Sequence, residues 1–362
     1  MERYVAVDPG KYATKVAEFI HSENGVRKFN FQTKVGKGDF RDDAIEENTY
    51  LVEYEGKVYK VGSGAGGEGA ELDTSKLTPV HKIAVVAALA RICSEDEEDI
   101  INIAVGIPAI PWHDVEQREN AKAYLIPEGK VTVQYKENTS EKVFKKTFEI
   151  KRKYVFPESI GALFMDDSPE YTENDTIGVL DIGSLNCNCT QWSGEGELIA
   201  DTSLTDELGG SILIQELSQI LTSRFSRCDE RLVSKILLKK PEFRHLSPND
   251  NDEFVIEESK AVIKETLLEH AKKIKRCCDG RRWSLKYMKL IAVGGTSRII
   301  ADELKEVFGQ NIIILNNLSY CNALGYLRML CARVPEIGTE IPLTEIEFDY
   351  LKNKEEKKGK AA

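Results

Sequence analysis

Long hydrophobic runs are missing from this chain, and so are the basic stretches that hold nucleic acid. The apolar stretch Ile83–Leu89 is far too short to span a bilayer. Lys and Arg number 49 against 60 Asp and Glu. The net charge of −11 excludes direct, non-specific DNA binding, which needs clustered cations facing phosphates. Any nucleic acid has to be reached through a basic partner. Met1 to Val7 run straight into a strand pattern and leave no signal peptide, so a cytoplasmic location is expected. The five histidines are scattered and form no ligand pattern. The eight cysteines, at 93, 187, 189, 228, 277, 278, 321 and 331, lack any zinc-type spacing. Cys187 and Cys189 alternate with Asn in a strand pattern, so both face the core. Cys277-Cys278 closes an amphipathic helix with no His near it, and neither a metal nor a disulfide role is expected of these thiols. A P-loop is missing too. Gly62-Ser63-Gly64-Ala65-Gly66-Gly67 lacks the Gly-Lys-Ser/Thr ending and reads as a surface loop.

What is present begins with length. At 362 residues, 41% apolar and 30% charged, the chain suffices for two medium domains or one bilobal unit with ample core. Two segments half the molecule apart read almost alike: Val5-Ala6-Val7-Asp8-Pro9-Gly10-Lys11 and Val179-Leu180-Asp181-Ile182-Gly183-Ser184. Each is an apolar β-type run ending in Asp-x-Gly. Such a run sets the Asp at a strand's carboxyl end, where a ligand crevice opens. Gly lets the backbone turn sharply and bring N–H groups up to phosphate oxygens. Ionised Asp8 and Asp181 repel phosphate, so they are placed to hold the water shell of Mg²⁺ on β- and γ-phosphates. Lys15, seven residues after Asp8, reaches the phosphates as a point charge. A single Asp-x-Gly is an ordinary hairpin turn; two at strand ends indicate a clamp on a nucleotide.

The remaining pattern alternates strands and helices. Residues 3–8, 13–20, 27–34 and 50–61 read as strands, followed by a helix at about 79–93. The continuous apolar run Ile100–Pro108 marks a buried central strand. A helix near 113–124 and a hairpin near 130–154 complete this half. Pro157–Phe164 opens a helix into the second half, where 198–204 is a strand and Gly209-Gly210-Ser211 starts a helix to about Leu221. A long amphipathic helix covers about 255–278. Lys289–Ser297 is strand, Gly turn and helix start, with the helix continuing to Phe308. A strand at 311–315 and a helix from Tyr320 to Met329 follow. The tail after Tyr350 is Lys/Glu-rich and reads as solvated. This order predicts an α/β protein with two related halves.

Five segments in order resemble the ATPase superfamily of actin, the heat-shock chaperones and the sugar kinases. Residues 5–15 resemble its first phosphate motif, 157–164 its first connection, 178–188 its second phosphate motif, 291–299 its adenosine motif and 320–327 its second connection. Asp8-Pro9-Gly10-Lys11-Tyr12-Ala13-Thr14-Lys15, Pro157-Glu158-Ser159-Ile160-Gly161-Ala162, Asn322-Ala323-Leu324-Gly325-Tyr326 and Gly106-Ile107-Pro108 look most like the bacterial actin-like proteins of plasmid segregation, the ParM type. Pro9 departs from the pattern by removing one N–H donor, and eukaryotic actin's own signature is absent.

The resemblance implies an α/β, actin-like (ribonuclease H-like) bilobal fold with a nucleotide cleft between two related domains. The first is 1–160, with a C-terminal helix from about 320–345 packing back on it; the second is 161–330, and 351–362 is a charged flexible tail. It implies that Glu158 orients and activates the attacking water. It implies nucleotide contacts from Gly10, Lys11, Tyr12 and Lys15, from Gly183, Ser184, Leu185 and Asn186, from Gly209 and Gly210, and from Gly294, Gly295, Thr296 and Arg298. Thr296 and Ser297 cap the helix after the Gly turn. The small residues Gly161-Ala162 and Ala323 to Gly325 permit the close helix crossing of a hinge. The implied activity is Mg²⁺-dependent hydrolysis of ATP or GTP coupled to filament assembly. The implied partners are further copies of the chain and a DNA-binding adaptor on a plasmid centromere-like site, with no direct DNA or membrane contact. The same motifs serve two other classes: a sugar- or acetate-type small-molecule kinase, and a non-polymerising ATPase scaffold. The kinase needs a polar substrate pocket and usually a longer chain. The scaffold needs a membrane-binding tail, and this tail has no apolar face.

Overall fold

The first Asp-x-Gly segment ends a strand, as its apolar run requires. In the computed structural model, which describes residues 1–42, 46–69, 75–95, 97–137, 142–225, 227–247, 252–337 and 341–346, β1 (Glu2–Pro9) turns into β2 (Ala13–Ile20). The register sets Val7 against Val16 and Asp8 against Lys15. Residues 27–34, expected as one strand, divide into β3 (Gly25–Gln32) and β4 (Lys34–Lys37), which sit far apart in the sheet. Residues 50–61 are likewise a hairpin, β5 (Thr49–Tyr54) and β6 (Lys57–Gly62). Its two-residue turn has Glu55 at φ 50° and Gly56 at φ 74°, the backbone that matches strand twist in tight hairpins. After the short β7 (Glu68–Gly69), α1 (Pro79–Ile92) starts with Pro at its first position and the Thr78 side chain accepting from the His81 N–H.

The buried run becomes β8 (Glu98–Ile107), lying parallel to β1 on one side and to a later strand on the other. Two helices, α2 (Ala109–His113) and α3 (Val115–Leu125), lead to the hairpin of β9 (Lys130–Glu137) and β10 (Phe144–Pro157). The ten strands run in the order β3-β2-β1-β8-β10-β9-β5-β6-β4-β7. The expected helix at Pro157–Phe164 shrinks to one 3₁₀ turn, Ile160–Phe164. Pro157 still belongs to β10, the Glu158 N–H donates to Ile107 O at 2.7 Å, and the Ser159 N–H donates to Asn322 Oδ1 at 3.0 Å. Ser159 stands at φ 73°, outside the right-handed helical region, so no helix runs through it.

The second sheet repeats the plan. It contains β11 (Thr176–Ile182), β12 (Cys187–Ser193), β13 (Leu204–Asp206) and, after three helices, further strands. The helices are α4 (Gly210–Arg224), α5 (Glu230–Leu237) and α6 (Glu253–Gly280), the last capped by the Asp252 carboxylate. There follow β14 (Lys289–Val293), α7 (Gly295–Ile299), α8 (Ala301–Phe308), β15 (Ile313–Ile314) and α9 (Cys321–Cys331). The strand order β13-β12-β11-β14-β15 matches β3-β2-β1-β8-β10 of the first sheet, hairpin for hairpin and parallel strand for parallel strand. Two related α/β halves are therefore present, as the duplicated hairpins predict.

Three local expectations differ. Residues 198–204 hold only a Trp192–Leu198 bridge and a 3₁₀ turn before β13 begins. The helix after the Gly turn breaks at Ile300 into α7 and α8. The C-terminal helix stops at Cys331, although residues 344–346 do return to the first sheet: Val26 N–H donates to Thr344 O at 2.9 Å and Ile346 N–H to Val26 O at 3.0 Å. The charged segment 351–362 lies outside the described residues. Cys187 and Cys189 do face the core together, with sulfurs 3.6 Å apart, and all eight cysteines are free. No helix among the described residues is long and apolar enough to cross a membrane. The core has one layer on α1, one on α4 and α6, and a third shared by β1, β11 and α9. The cleft opens above that shared layer.

Candidate nucleotide cleft

Both hairpins open onto one cavity of about 400 Å³. From the first sheet Asp8, Gly10, Lys11, Tyr12, Lys15 and Glu158 line it. From the second come Asp181, Gly183, Ser184, Leu185 and Asn186, with Gly210 from the start of α4 and Gly294, Gly295 and Thr296 from the turn after β14. This volume lies in the ordinary range for small-molecule sites.

The local backbone explains why these residue types stand here. Gly294, at φ 87°, packs so tightly that a Cβ there would stand 2.3 Å from Ile182 O and 2.9 Å from Asp181 Oδ1. Any side chain would displace the carboxylate of the second hairpin. Thr296 Oγ1 donates to Gly183 O at 2.7 Å, tying the two turns together. The glycine N–H groups of the hairpins are committed within their own turns: Gly10 N–H donates to Asp8 O at 2.8 Å and Gly183 N–H to Asn186 O at 2.9 Å. Pro9 has none, so contacts from the first turn fall to the residues beyond it.

Two expected residues do not line the cavity. Gly209 lies behind it, where a Cβ would meet Ser184 O and the Leu185 carbonyl carbon at 2.4 Å; it lets α4 press against the second turn. Arg298 is exposed on α7. It stands two residues after the inward-facing Thr296, and roughly 100° per residue carries it to the opposite side of the helix.

The charged groups form a linked set. Lys15 Nζ lies 3.4 Å from Asp8 Oδ2. Lys76, which sequence reasoning missed, is buried with Nζ 3.2 Å from Asp8 Oδ1 and 2.6 Å from Glu158 Oε1. Burial alone would push the Asp8 carboxyl up, but the Lys15 and Lys76 ammoniums outweigh it and hold the group below the ordinary carboxylate range. Burial opposes the Lys76 charge as well, yet Glu158 and Asp8 leave its pKa raised. Among the described residues Asp181 forms no ion pair, and Lys15 only partly offsets the rise in its pKa. Burial first, and then the neighbouring Glu158, push its carboxyl up to about 6. Its Oδ2 accepts from Asn322 Nδ2 at 2.8 Å. Glu158 Oε2 accepts from Asn188 Nδ2 at 2.9 Å, and Asn188 Oδ1 accepts from Thr205 Oγ1 at 2.7 Å. Ser159, beside Glu158, is fully buried at φ 73°, a strained backbone for a serine that fixes the chain where the two halves meet.

Asn188 carried a readable signal: it alternates with Cys187 and Cys189, so it faces away from the core. Asn322 sits inside the second connection. Lys76 stands in a stretch without periodicity and offered none. Among the described residues, no three His, Cys, Asp or Glu side chains are placed to ligate one metal ion directly.

Residues 6–161 match the family model of the actin-like protein N-terminal domain. The chain is also similar in structure to the Alp12 filament protein, at 21% identity over 92% of this chain and 99% of that one, with a TM-score of 0.68. The fold is actin-like. The same fold recurs in the archaeal actin homologue Ta0583 in complex with ADP, at 18% identity over 90% of this chain and 98% of that one, TM-score 0.67. It recurs again in a 15-stranded ParM filament from Clostridium botulinum, at 18% identity over 91% and 99% of the two chains, TM-score 0.64. No curated protein matches the chain in sequence.

Proposed function

We propose that this actin-like chain polymerises in response to a nucleoside triphosphate and hydrolyses it. The observation that carries the reading is the cleft, whose facing walls are the two Asp-x-Gly hairpins. Residues 1–160 and 161–330 act as the two domains gripping the nucleotide, with α9 returning to the first. The Alp12 and Clostridium botulinum ParM structures are filaments, which supports self-association. The ADP-bound archaeal homologue supports a nucleotide ligand, ATP or GTP, here.

In this reading Lys15 and the backbone beyond the two committed glycines, at Lys11 and Tyr12 and at Ser184 to Asn186, hold the phosphates. Gly210, Gly294, Gly295 and Thr296 face the sugar and base. Asp8 and Asp181 fit Mg²⁺ held through its waters. They are acids from opposite walls of the cleft, the donor type that a hydrated Mg²⁺ takes. When bound, Mg²⁺ supplies charge neutralisation on the β- and γ-phosphates. Glu158 accepts a hydrogen bond from the attacking water and orients it toward the terminal phosphate. Glu158→Ala is expected to lower turnover by roughly 10²–10⁴-fold with little change in nucleotide affinity. Phosphate-release assays beside equilibrium binding check this, and an unchanged rate would remove Glu158 from the mechanism.

Assembly is tested by light scattering and electron microscopy of the purified chain with and without Mg-ATP or Mg-GTP. Filaments that appear with nucleotide and decay as it is consumed are the expected result. The absence of polymer across salts and nucleotides would overturn the reading. We further infer that any link to a plasmid runs through a separate DNA-binding adaptor. With a net charge of −11, the chain alone is expected to retain no DNA at physiological salt in a mobility-shift assay. Tight binding without a partner would contradict the adaptor model.

A further inference from the structure

Asp8 and Glu158 end strands that are not neighbours. β1 and β10 flank β8, so the carboxylates hang from strands about two inter-strand spacings apart, roughly 9–10 Å. One ammonium spans that gap. Lys76 enters from the segment before α1, passes over the end of β8 with Nζ 3.4 Å from Gly106 O, and contacts both acids. Asp8 and Glu158 are 4% and 8% exposed, so without Lys76 two buried acids would lose their shared cation.

We propose that Lys76 is a positioning residue of the cleft: by binding Asp8 and Glu158 at once, its ammonium fixes the carboxylate that orients the attacking water. This rests on the hydrolytic reading above. The two lysines divide the work. The Lys15 side chain is 27% exposed and opens toward the incoming phosphates, while that of Lys76, at 3%, stays behind the carboxylates. Glu158 is gripped at both oxygens, Oε1 by Lys76 and Oε2 by Asn188, with Asn188 itself held by Thr205. A carboxylate so held cannot rotate, and reaction rates respond steeply to misplacements of about 1 Å. Lys76 therefore acts on the rate through Glu158, not on nucleotide binding through the phosphates.

The test uses the full chain with Lys76→Met, Glu158→Gln and the double variant. Phosphate release gives kcat, and a fluorescent ATP or GTP analogue gives Kd. Lys76→Met is expected to lower kcat by roughly a hundredfold and to leave Kd within about threefold. The double variant is expected to be no slower than Glu158→Gln alone by more than about threefold, since both changes remove one function. Where Lys76→Met does not unfold cooperatively, Lys76→Gln carries the same criteria, because it keeps a donor for one acid. A normal kcat in the lysine variant, a Kd that rises in step with the loss of kcat, or losses that multiply in the double variant would each overturn the proposal. In those cases the hydrolytic reading stands as long as Glu158→Gln is inactive. If Glu158→Gln hydrolyses at the wild-type rate, that reading and the proposal built on it both fall.

Discussion

Asp181→Asn is expected to make the nucleotide-free protein more stable while removing most of its Mg²⁺-dependent hydrolysis. The carboxyl titrates at about 6 in the folded chain, against an ordinary value of 3.8. Between those values the folded state holds more protons than the unfolded chain, so stability falls as pH rises through the window. Above about pH 6 the full penalty is present. Two units amount to just under 3 kcal/mol, and the side chain's partial access to the cleft reduces that to roughly 2 kcal/mol. Asn keeps an oxygen for the Asn322 donor and carries no charge. Denaturant unfolding of both proteins should agree near pH 4 and diverge by roughly 2 kcal/mol at pH 7, with the variant the more stable. Adding Mg²⁺ and nucleotide should close the gap, because only the wild-type carboxylate gains a cation. Turnover in the variant should fall by roughly 10²-fold or more, with affinity changing far less. A variant less stable than the parent at neutral pH would show that Asp181 is a structural group.

The balance at Asp181 also shows what a sequence can and cannot disclose. Both hairpins were legible because strand alternation and the Asp-x-Gly turn are local. The buried strand Ile100–Ile107 was legible because a parallel strand covered on both faces is apolar throughout. Fifteen of the seventeen residues expected in the cleft line it, most of them named through the family resemblance rather than through the local pattern. Arg298 does not line it, because the helix that carries it starts at Gly295 and turns its fourth residue outward. Glu158 lines the cleft, but it follows a strand rather than opening the expected helix. The acceptors that hold the Glu158 and Ser159 N–H groups there are Ile107 O and Asn322 Oδ1, remote in sequence. Lys76 was invisible for the same reason. A lysine outside any periodic element reads as solvated, and only the folded chain brings Asp8 and Glu158 to either side of it. The Glu55-Gly56 turn was missed because glutamate is a poor marker for a left-handed backbone. Local chemistry sets the elements, whereas the charge relations of the cleft arise between elements.

Gly325→Ala is expected to destabilise the chain by about 3 kcal/mol, at the upper end for overpacking. Gly325 lies on α9 where it crosses the turn that carries Gly161. A Cβ there would stand 2.2 Å from Gly161 Cα and 2.5 Å from Gly161 O. Both contacts are backbone, so no flexible side chain can move aside to admit the methyl group. The reverse substitution meets the same wall, since a Cβ on Gly161 would stand 2.7 Å from Asn322 Cα. Relief requires α9 to lift away from the turn, and the displacement reaches the cleft at once. Asn322, three residues earlier on the same helix, accepts from the Ser159 N–H at 3.0 Å and donates to Asp181 at 2.8 Å. Nucleotide affinity should therefore drop together with stability, unlike the Asp181 and Lys76 variants, in which rate and affinity separate. Gly280→Ala is the control. It ends α6 in the open, where an added Cβ meets nothing within 4 Å, and it should be neutral or more stable by roughly 0.5 kcal/mol. Urea unfolding and equilibrium nucleotide binding on the two alanine variants read both quantities. If Gly325→Ala unfolds at the parent's midpoint and binds nucleotide as tightly, then α9 and the turn can separate freely, and their close crossing does not hold the cleft together.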